Sequence, residues 1–369
     1  MNIGVITTSR ADFGIYLPLL KKIKDSQHEL FLFVGGMHTS ADFGNSYQLI
    51  EKEGFQISEK LDGLLSGDSS SVIANSMANT LAAFAEIWPK YKNSLDVIFV
   101  LGDRFEMFAA ASSILPFNIP IAHLHGGETT LGAIDNKFRH AITSLSDFHF
   151  VSHQNHAERV IQIINSNTHV YNVGALGVEN LLSIEILDAE GFKSKFNFDI
   201  SQKFVLTTIH PETASFGKNE YYINEFIAAV KEFDMPVLCT LPNADTEGNV
   251  IRKALLSFER EYPEKIKCFE NLGIKGYLSA MKNCTVMIGN TSSGIIEAAS
   301  FNKQVLNLGN RQEGRLAGEN VIHVPFKKEE IIKAFSEAKK NKEVNVVNPY
   351  GAGNTAEKIM NIIENIFKK

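Results

Sequence analysis

The chain has 369 residues, 44% hydrophobic and 21% charged, enough to bury the cores of about two domains at roughly 150 residues each. Its 36 basic and 42 acidic residues give a formal net charge of −6. That argues against a broad surface for nucleic acid or anionic lipid, while leaving room for a local basic pocket. No apolar run approaches the ~18 residues of a membrane span; the strongest is 97–101. The N-terminal stretch has no basic region followed by a long apolar run, so no secretory signal is expected. Cys239, Cys268 and Cys284 are odd in number and widely spaced, matching neither a disulfide framework nor a zinc ribbon. They predict a reducing, cytoplasmic setting.

Short apolar strands alternate with longer helical stretches through the first half. Residues 3–7 read as a strand and 12–24 as a helix, with Ser9 and Asp12 spaced as a capping box. Residues 30–35 form a second strand. A long helical stretch covers 72–91, with Pro89 expected to mark its end. Further strands are predicted at 96–101, 119–125 and 148–152. Their apolar runs do not alternate with polar residues, so both faces should be covered, as in a parallel sheet with helical crossovers. A softer stretch follows, with no clear strand over 187–199. The alternation restarts at 204–209, 237–241, 285–289 and 304–308, a second α/β unit. The residues place the boundary near 170–180 and leave the last helix, 355–367, free to pack on either unit. The two halves repeat an architecture without a fixed sequence period.

Ligands of such sheets bind beyond the carboxyl ends of the strands. Five polar clusters stand at those ends: Ser9-Arg10, Gly102-Asp103-Arg104, Gly126-Gly127-Glu128, His210-Pro211-Glu212 and Asn290-Thr291-Ser292-Ser293-Gly294. Together they predict a ligand held between two domains. The turn at 290–294 has small side chains, hydroxyls and helix N–H groups suited to a phosphate, although an ordinary helix cap has the same look. Glu297, one turn on, suits the hydroxyls of a ribose. Arg10, Arg104, Arg311 and Arg315 are the cations available for a diphosphate, although any one of them taken singly reads more readily as a surface ion pair. The chain has neither the G-x-G-x-x-G of a dinucleotide fold nor a P-loop.

His123, His125 and Glu128 admit a metal reading, but no further close cluster completes a site. The glycine pair between them fits close backbone approach to a ligand better. Asp135 and Arg139 are four apart on the next helix and could simply pair on its surface. Asp103, Glu128 and Asp135 form a candidate carboxylate trio, in which like charges would push pKa values apart and allow proton transfers around a C–O bond. His210 is a further candidate. The remaining histidines, His153 and His156 among them, read as structural or surface residues.

These motifs, together with Ile134-Asp135, Arg139-His140, Asn243-Ala244-Asp245 and Arg311-Gln312, follow in an order that resembles the hydrolysing UDP-N-acetylglucosamine 2-epimerases. The likeness spans nearly the whole chain. The non-hydrolysing branch carries a His-x-Glu-Ala-Gly pattern where this chain has His125-Gly126-Gly127-Glu128. The resemblance implies an α/β, GT-B-like fold of two Rossmann-like domains facing across a cleft, with the C-terminal helix returning to the first. The domains are expected at 1–172 with 355–369, and at 173–354. It implies release of UDP and N-acetylmannosamine, by anti elimination to a 2-acetamidoglucal and then hydration, the first step of sialic acid synthesis. The catalytic carboxylates fall on Asp103, Glu128 and Asp135. The UDP contacts fall on Arg10, Arg104, His210, Asn243, Ser292, Ser293, Glu297 and Arg311. No metal or nicotinamide cofactor is implied, nor any nucleic-acid or membrane partner; a homo-oligomer is. A close branch acts on nucleotide-linked 2,4-diacetamido-2,4,6-trideoxyhexoses for legionaminic acid, which leaves the sugar and base open. The rival classes are a GT-B glycosyltransferase and a non-catalytic nucleotide-sugar binding protein.

Overall fold

The computed structural model describes the chain apart from residues 130, 132, 214–216, 244, 341–343 and 369, and apart from the side chains of 182 and 183. The chain divides into two compact units. The first comprises Met1–Glu128, Asp135–Ser183 and Tyr350–Lys369; the second comprises Thr129–Ile134 and Ile184–Pro349.

The first unit is built on β1 (Asn2–Thr7), β2 (Glu29–Gly35), β3 (Glu59–Leu61), β4 (Val97–Leu101), β5 (Ile121–Leu124), β6 (Phe148–Val151) and β7 (Val170–Asn172). The strands are parallel, in the order β3-β2-β1-β4-β5-β6-β7. Val5 pairs with Leu32 on one side and Phe99 on the other. Strands β4, β5 and β6 are buried throughout, as their continuous apolar runs require.

The second unit carries β8 (Val205–Thr208), β9 (Val237–Thr240), β10 (Ile266–Phe269), β11 (Val286–Gly289), β12 (Val305–Leu308) and β13 (Val321–Val324). Its order is β10-β9-β8-β11-β12-β13, again parallel. Val205 and Val237 enter one apolar layer with Ile223 and Phe226, whereas their neighbours Leu206 and Leu238 enter the opposite layer with Phe192 and Met281. The period of two thus feeds both faces of the sheet.

Each sheet reverses its strand order once, between β1 and β4 and between β8 and β11. These are the positions where an open α/β sheet splays its loops apart and leaves a crevice.

Local signals explain the helices. Ser9 caps the helix Arg10–Lys24 by accepting the N–H of Asp12. The Asp12 carboxylate reaches back to the N–H of Thr8 at 3.1 Å and its hydroxyl at 2.7 Å. The helix Ser70–Tyr91 ends at the predicted Tyr91, two residues past Pro89. The soft stretch 187–199 holds the helix Ala189–Phe196, capped by Asp188. The C-terminal helix Thr355–Phe367 belongs to the first unit and packs on the helix Arg10–Lys24. Thr355 Oγ1 donates to the Val173 carbonyl at 3.2 Å, and His28 Nε2 lies 2.9 Å from Glu364 Oε1.

Candidate functional site

In the first unit, polar side chains gather at the carboxyl ends of β1, β4 and β5. The chain leaves β5 through His125, whose φ of +63° is a left-handed conformation that costs a non-glycine residue of order 1 kcal/mol. Gly127 follows at φ +73°. This bend brings Glu128, 1% exposed, back beneath His125, and their Nδ1 and Oε1 stand 2.6 Å apart. When Glu128 is ionised its oxygen can only accept, and His125 is then the donor.

Arg139 reaches the same place from the helix Asp135–Leu145. One terminal nitrogen pairs with the Asp103 carboxylate; the other donates to the His125 carbonyl at 2.8 Å and lies 3.8 Å from Glu128 Oε2. One guanidinium therefore serves both carboxylates and offsets their repulsion. The sequence suggested carboxylates acting chiefly on one another; the structure gives them a shared cation. Asp135 opens the same helix one turn before Arg139.

His123 uses both ring nitrogens within the protein. Nε2 lies 2.9 Å from the Gly102 carbonyl, and Nδ1 lies 3.2 Å from Thr143 Oγ1. Burial pushes its pKa down to about 3, so the ring is neutral. No group of three or more potential metal ligands is found among the described residues.

At the β1/β4 crevice, Arg10 begins its helix and Arg104 precedes the helix Phe105–Ile114. Arg104 Nη2 donates to the fully buried Glu106 at 2.9 Å. Burial raises the Asp12 pKa, with Arg104 pulling against the shift.

The second unit has its own polar cluster across the β8/β11 crevice. The Asn290 side chain accepts the His210 N–H at 2.7 Å and returns a bond to the His210 carbonyl at 2.8 Å. The N–H of Asn243 points at His210 Nδ1 at 3.5 Å. Ala244, in the same motif, lies outside the described residues. The Asn290 carbonyl accepts from Arg311 Nη1 at 3.2 Å and Gln312 Nε2 at 2.8 Å. His210, Asn243, Asn290 and Arg311 are thus brought together. Ser292 and Ser293 open a helix of five residues, Ser292–Ile296, so individual N–H groups and hydroxyls matter there more than a macrodipole. Burial raises the Glu297 carboxyl to about pKa 7.

Two members of this cluster escaped the sequence reading. Glu212, 1% exposed, accepts the N–H groups of Asn310 at 2.5 Å and Arg311 at 3.1 Å. It was visible in the His210-Pro211-Glu212 run but had no partner in sequence. Tyr277 hydrogen-bonds the Ser293 hydroxyl, and burial pushes the phenol up to about 12. Nothing in its spacing signals that contact.

Two doubly wound parallel sheets, each with a polar cluster at its point of reversal, define a GT-B-like α/β protein. The chain belongs to the UDP-N-acetylglucosamine 2-epimerase family, whose model matches residues 21–364. It is 32% identical to a UDP-N,N'-diacetylbacillosamine 2-epimerase (hydrolyzing) of Legionella pneumophila, over 98% of this chain and 95% of that one. It is 34% identical to the polysialic acid biosynthesis protein P7 of Escherichia coli, over 98% and 93%. In fold it matches the crystal structure of the Methanocaldococcus jannaschii UDP-GlcNAc 2-epimerase in complex with UDP-GlcNAc and UDP, with a TM-score of 0.81 and 18% identity, covering 99% and 100% of the two chains. No described helix is long and apolar enough to cross a membrane.

Proposed function

We propose that the enzyme is a hydrolysing 2-epimerase that converts UDP-N-acetylglucosamine and water to UDP and N-acetylmannosamine. The observation that carries the reading is the sharing of Arg139 by Asp103 and Glu128, with His125 holding Glu128. Two carboxylates fixed on one cation can exchange protons with a substrate in turn, as elimination followed by hydration requires. In the first step the C2 proton passes to a carboxylate and the C1–O bond breaks, giving UDP and a 2-acetamidoglucal. In the second step a proton returns to C2 on the opposite face and water adds at C1. We assign these transfers to Asp103, Glu128 and Asp135. Substrate contacts are assigned to Arg10 and Arg104 of the first unit and to His210, Asn243, Ser292, Ser293, Glu297 and Arg311 of the second. Guanidinium and N–H groups balance the diphosphate charge, so the steps as written call for no metal or nicotinamide.

A second reading keeps the chemistry and changes the sugar to a nucleotide-linked 2,4-diacetamido-2,4,6-trideoxyhexose. It is favoured by the name of the Legionella relative, just as the polysialic acid relative favours the first. Each UDP-sugar is supplied in deuterated water and the products are followed by proton NMR. The expected outcome is free UDP and a free amino sugar with deuterium at C2, formed faster from UDP-N-acetylglucosamine. Protium retained at C2 overturns the elimination; faster turnover of the diacetamido sugar selects the second reading. Release of neither UDP nor free sugar from both substrates favours a glycosyltransferase or a binding protein.

A further inference from the structure

We infer that Ser152 and His156 form a positioning relay behind Glu128, fixing which of its carboxyl oxygens carries the exchanged proton. The inference rests on the proposed role of Glu128 as a proton carrier.

Ser152 directly follows β6, and His156 lies in the first turn of the helix Gln154–Ile164; they are 3% and 4% exposed. Ser152 Oγ donates to Glu128 Oε1 at 2.8 Å, and His156 Nδ1 stands 3.0 Å from the same Oγ. A hydroxyl has one proton to give. With that proton on Glu128, the His156 nitrogen must be the donor of the second bond, which sets the ring as the Nδ1–H tautomer. From the other side His125 Nδ1 donates to the same oxygen at 2.6 Å. Oε1 therefore already accepts two hydrogen bonds. The exchanged proton belongs on Oε2, which lies 3.8 Å from Arg139 Nη1.

The backbone holds the relay in register. A Cβ on Gly127 would lie 2.3 Å from the His156 carbonyl oxygen, so the helix rests directly on the bend that carries Glu128. Arg159 Nη1 donates to the Gly127 carbonyl at 3.3 Å, and the His156 ring lies 6.0 Å from that of the buried Tyr350. The charged and titratable groups that bear on Glu128 include His125, Arg139, Asp103 through Arg139, His156 through Ser152, and Arg159 on the carbonyl of the adjacent Gly127.

The full chain is labelled with glutamate carrying carbon-13 at the carboxyl, and Glu128 is assigned as the resonance lost in Glu128→Gln. A hydrogen bond donated to the charged form favours that form, so Ser152→Ala should move the Glu128 titration midpoint up by about half a pH unit or more. Ser152→Thr should keep the wild-type midpoint. His156→Phe should shift it in the same direction by less, and His156→Asn, which keeps an N–H donor, should restore it. In turnover, Ser152→Ala should lower kcat roughly tenfold with KM within about twofold. An unmoved midpoint in folded Ser152→Ala overturns the relay whatever the turnover shows. If that variant does not fold, an unmoved midpoint in His156→Phe does the same. A wild-type enzyme inert towards both sugars overturns the proposed function, while the titration still decides the relay.

Discussion

The side-chain amide of Asn180 donates to the backbone carbonyl of Gly14 at 2.6 Å. The bond replaces one that the helix Arg10–Lys24 cannot make, because Pro18, four residues on from Gly14, has no N–H to give. Asn180 comes from the helix Leu176–Ser183 and is 4% exposed, so without it the Gly14 carbonyl would be left in a dry setting. Asn180→Leu should destabilise the protein by about 1–3 kcal/mol, the usual cost of orphaning a buried acceptor. Pro18→Ala, which supplies the missing N–H, should recover part of that loss in the double variant. Denaturant melts of the four proteins measure both; strict additivity would mean that Pro18 and Asn180 are not linked.

How much of this was legible in the sequence follows burial closely. The nine strands read from their apolar runs are β1, β2, β4, β5, β6, β8, β9, β11 and β12, all interior to their sheets. The four that were not read, β3, β7, β10 and β13, are the four sheet edges. Edges are kept short and polar against unwanted pairing, so Glu59-Lys60-Leu61 and Val170-Tyr171-Asn172 have no continuous apolar run to detect. The polar cluster of each unit divides in a similar way. Asp103, Glu128 and His210 stand out in the sequence because they follow strands, where ligand chemistry collects. The part of Arg139 as a bridge, and those of Glu212 and Ser152, depend on contacts between residues 11 to 99 positions apart, which no local spacing announces.

Glu212 should control how the loop carrying Arg311 is presented. Its carboxylate holds the Asn310 and Arg311 N–H groups, and Gly309 packs so closely that a Cβ there would fall 2.2 Å from Glu212 Oε1. Glu212→Ala should weaken UDP binding by about 1–3 kcal/mol, similar to Arg311→Ala, Ser292→Ala or Ser293→Ala acting directly. Titration calorimetry decides. UDP affinity unchanged in Arg311→Ala and both serine variants removes the diphosphate from this loop. Unchanged affinity in Glu212→Ala alone removes the supporting role.

Glu297 predicts a pH dependence of stability. Burial holds its pKa at about 7, above the ordinary 4.5. Below pH 4.5 both the folded and unfolded chains carry the proton. Between about 4.5 and 7 the unfolded chain loses it first, so the folded state binds more protons and its stability falls as pH rises. Above 7 both forms are ionised and this contribution is flat. Glu297→Gln should therefore gain stability relative to wild type as pH goes from 5 to 7, by an amount of order 2 kcal/mol. Melts of the unliganded proteins at pH 5, 6, 7 and 8 test it; parallel curves would show that the folded carboxyl titrates normally.

The arrangement around Arg139 makes the carboxylates separable by experiment. Asp103→Asn, Glu128→Gln and Asp135→Asn preserve size and remove proton exchange. For a group that carries a proton in the rate-limiting step, kcat should fall roughly 100-fold or more with UDP binding retained. A variant blocked in hydration should still release UDP and should accumulate the 2-acetamidoglucal, whereas one blocked in elimination should release neither. The geometry adds a control. Arg139 spans Asp103 and the His125 carbonyl with two nitrogens, so Arg139→Lys keeps the charge and loses the fork. It should slow both steps, because it unseats Asp103 and the bend that carries Glu128 together. If Arg139→Lys turns over normally, the shared guanidinium is not what organises the carboxylates. If Glu128→Gln keeps near-normal kcat, its proton is not the one returned to the glycal.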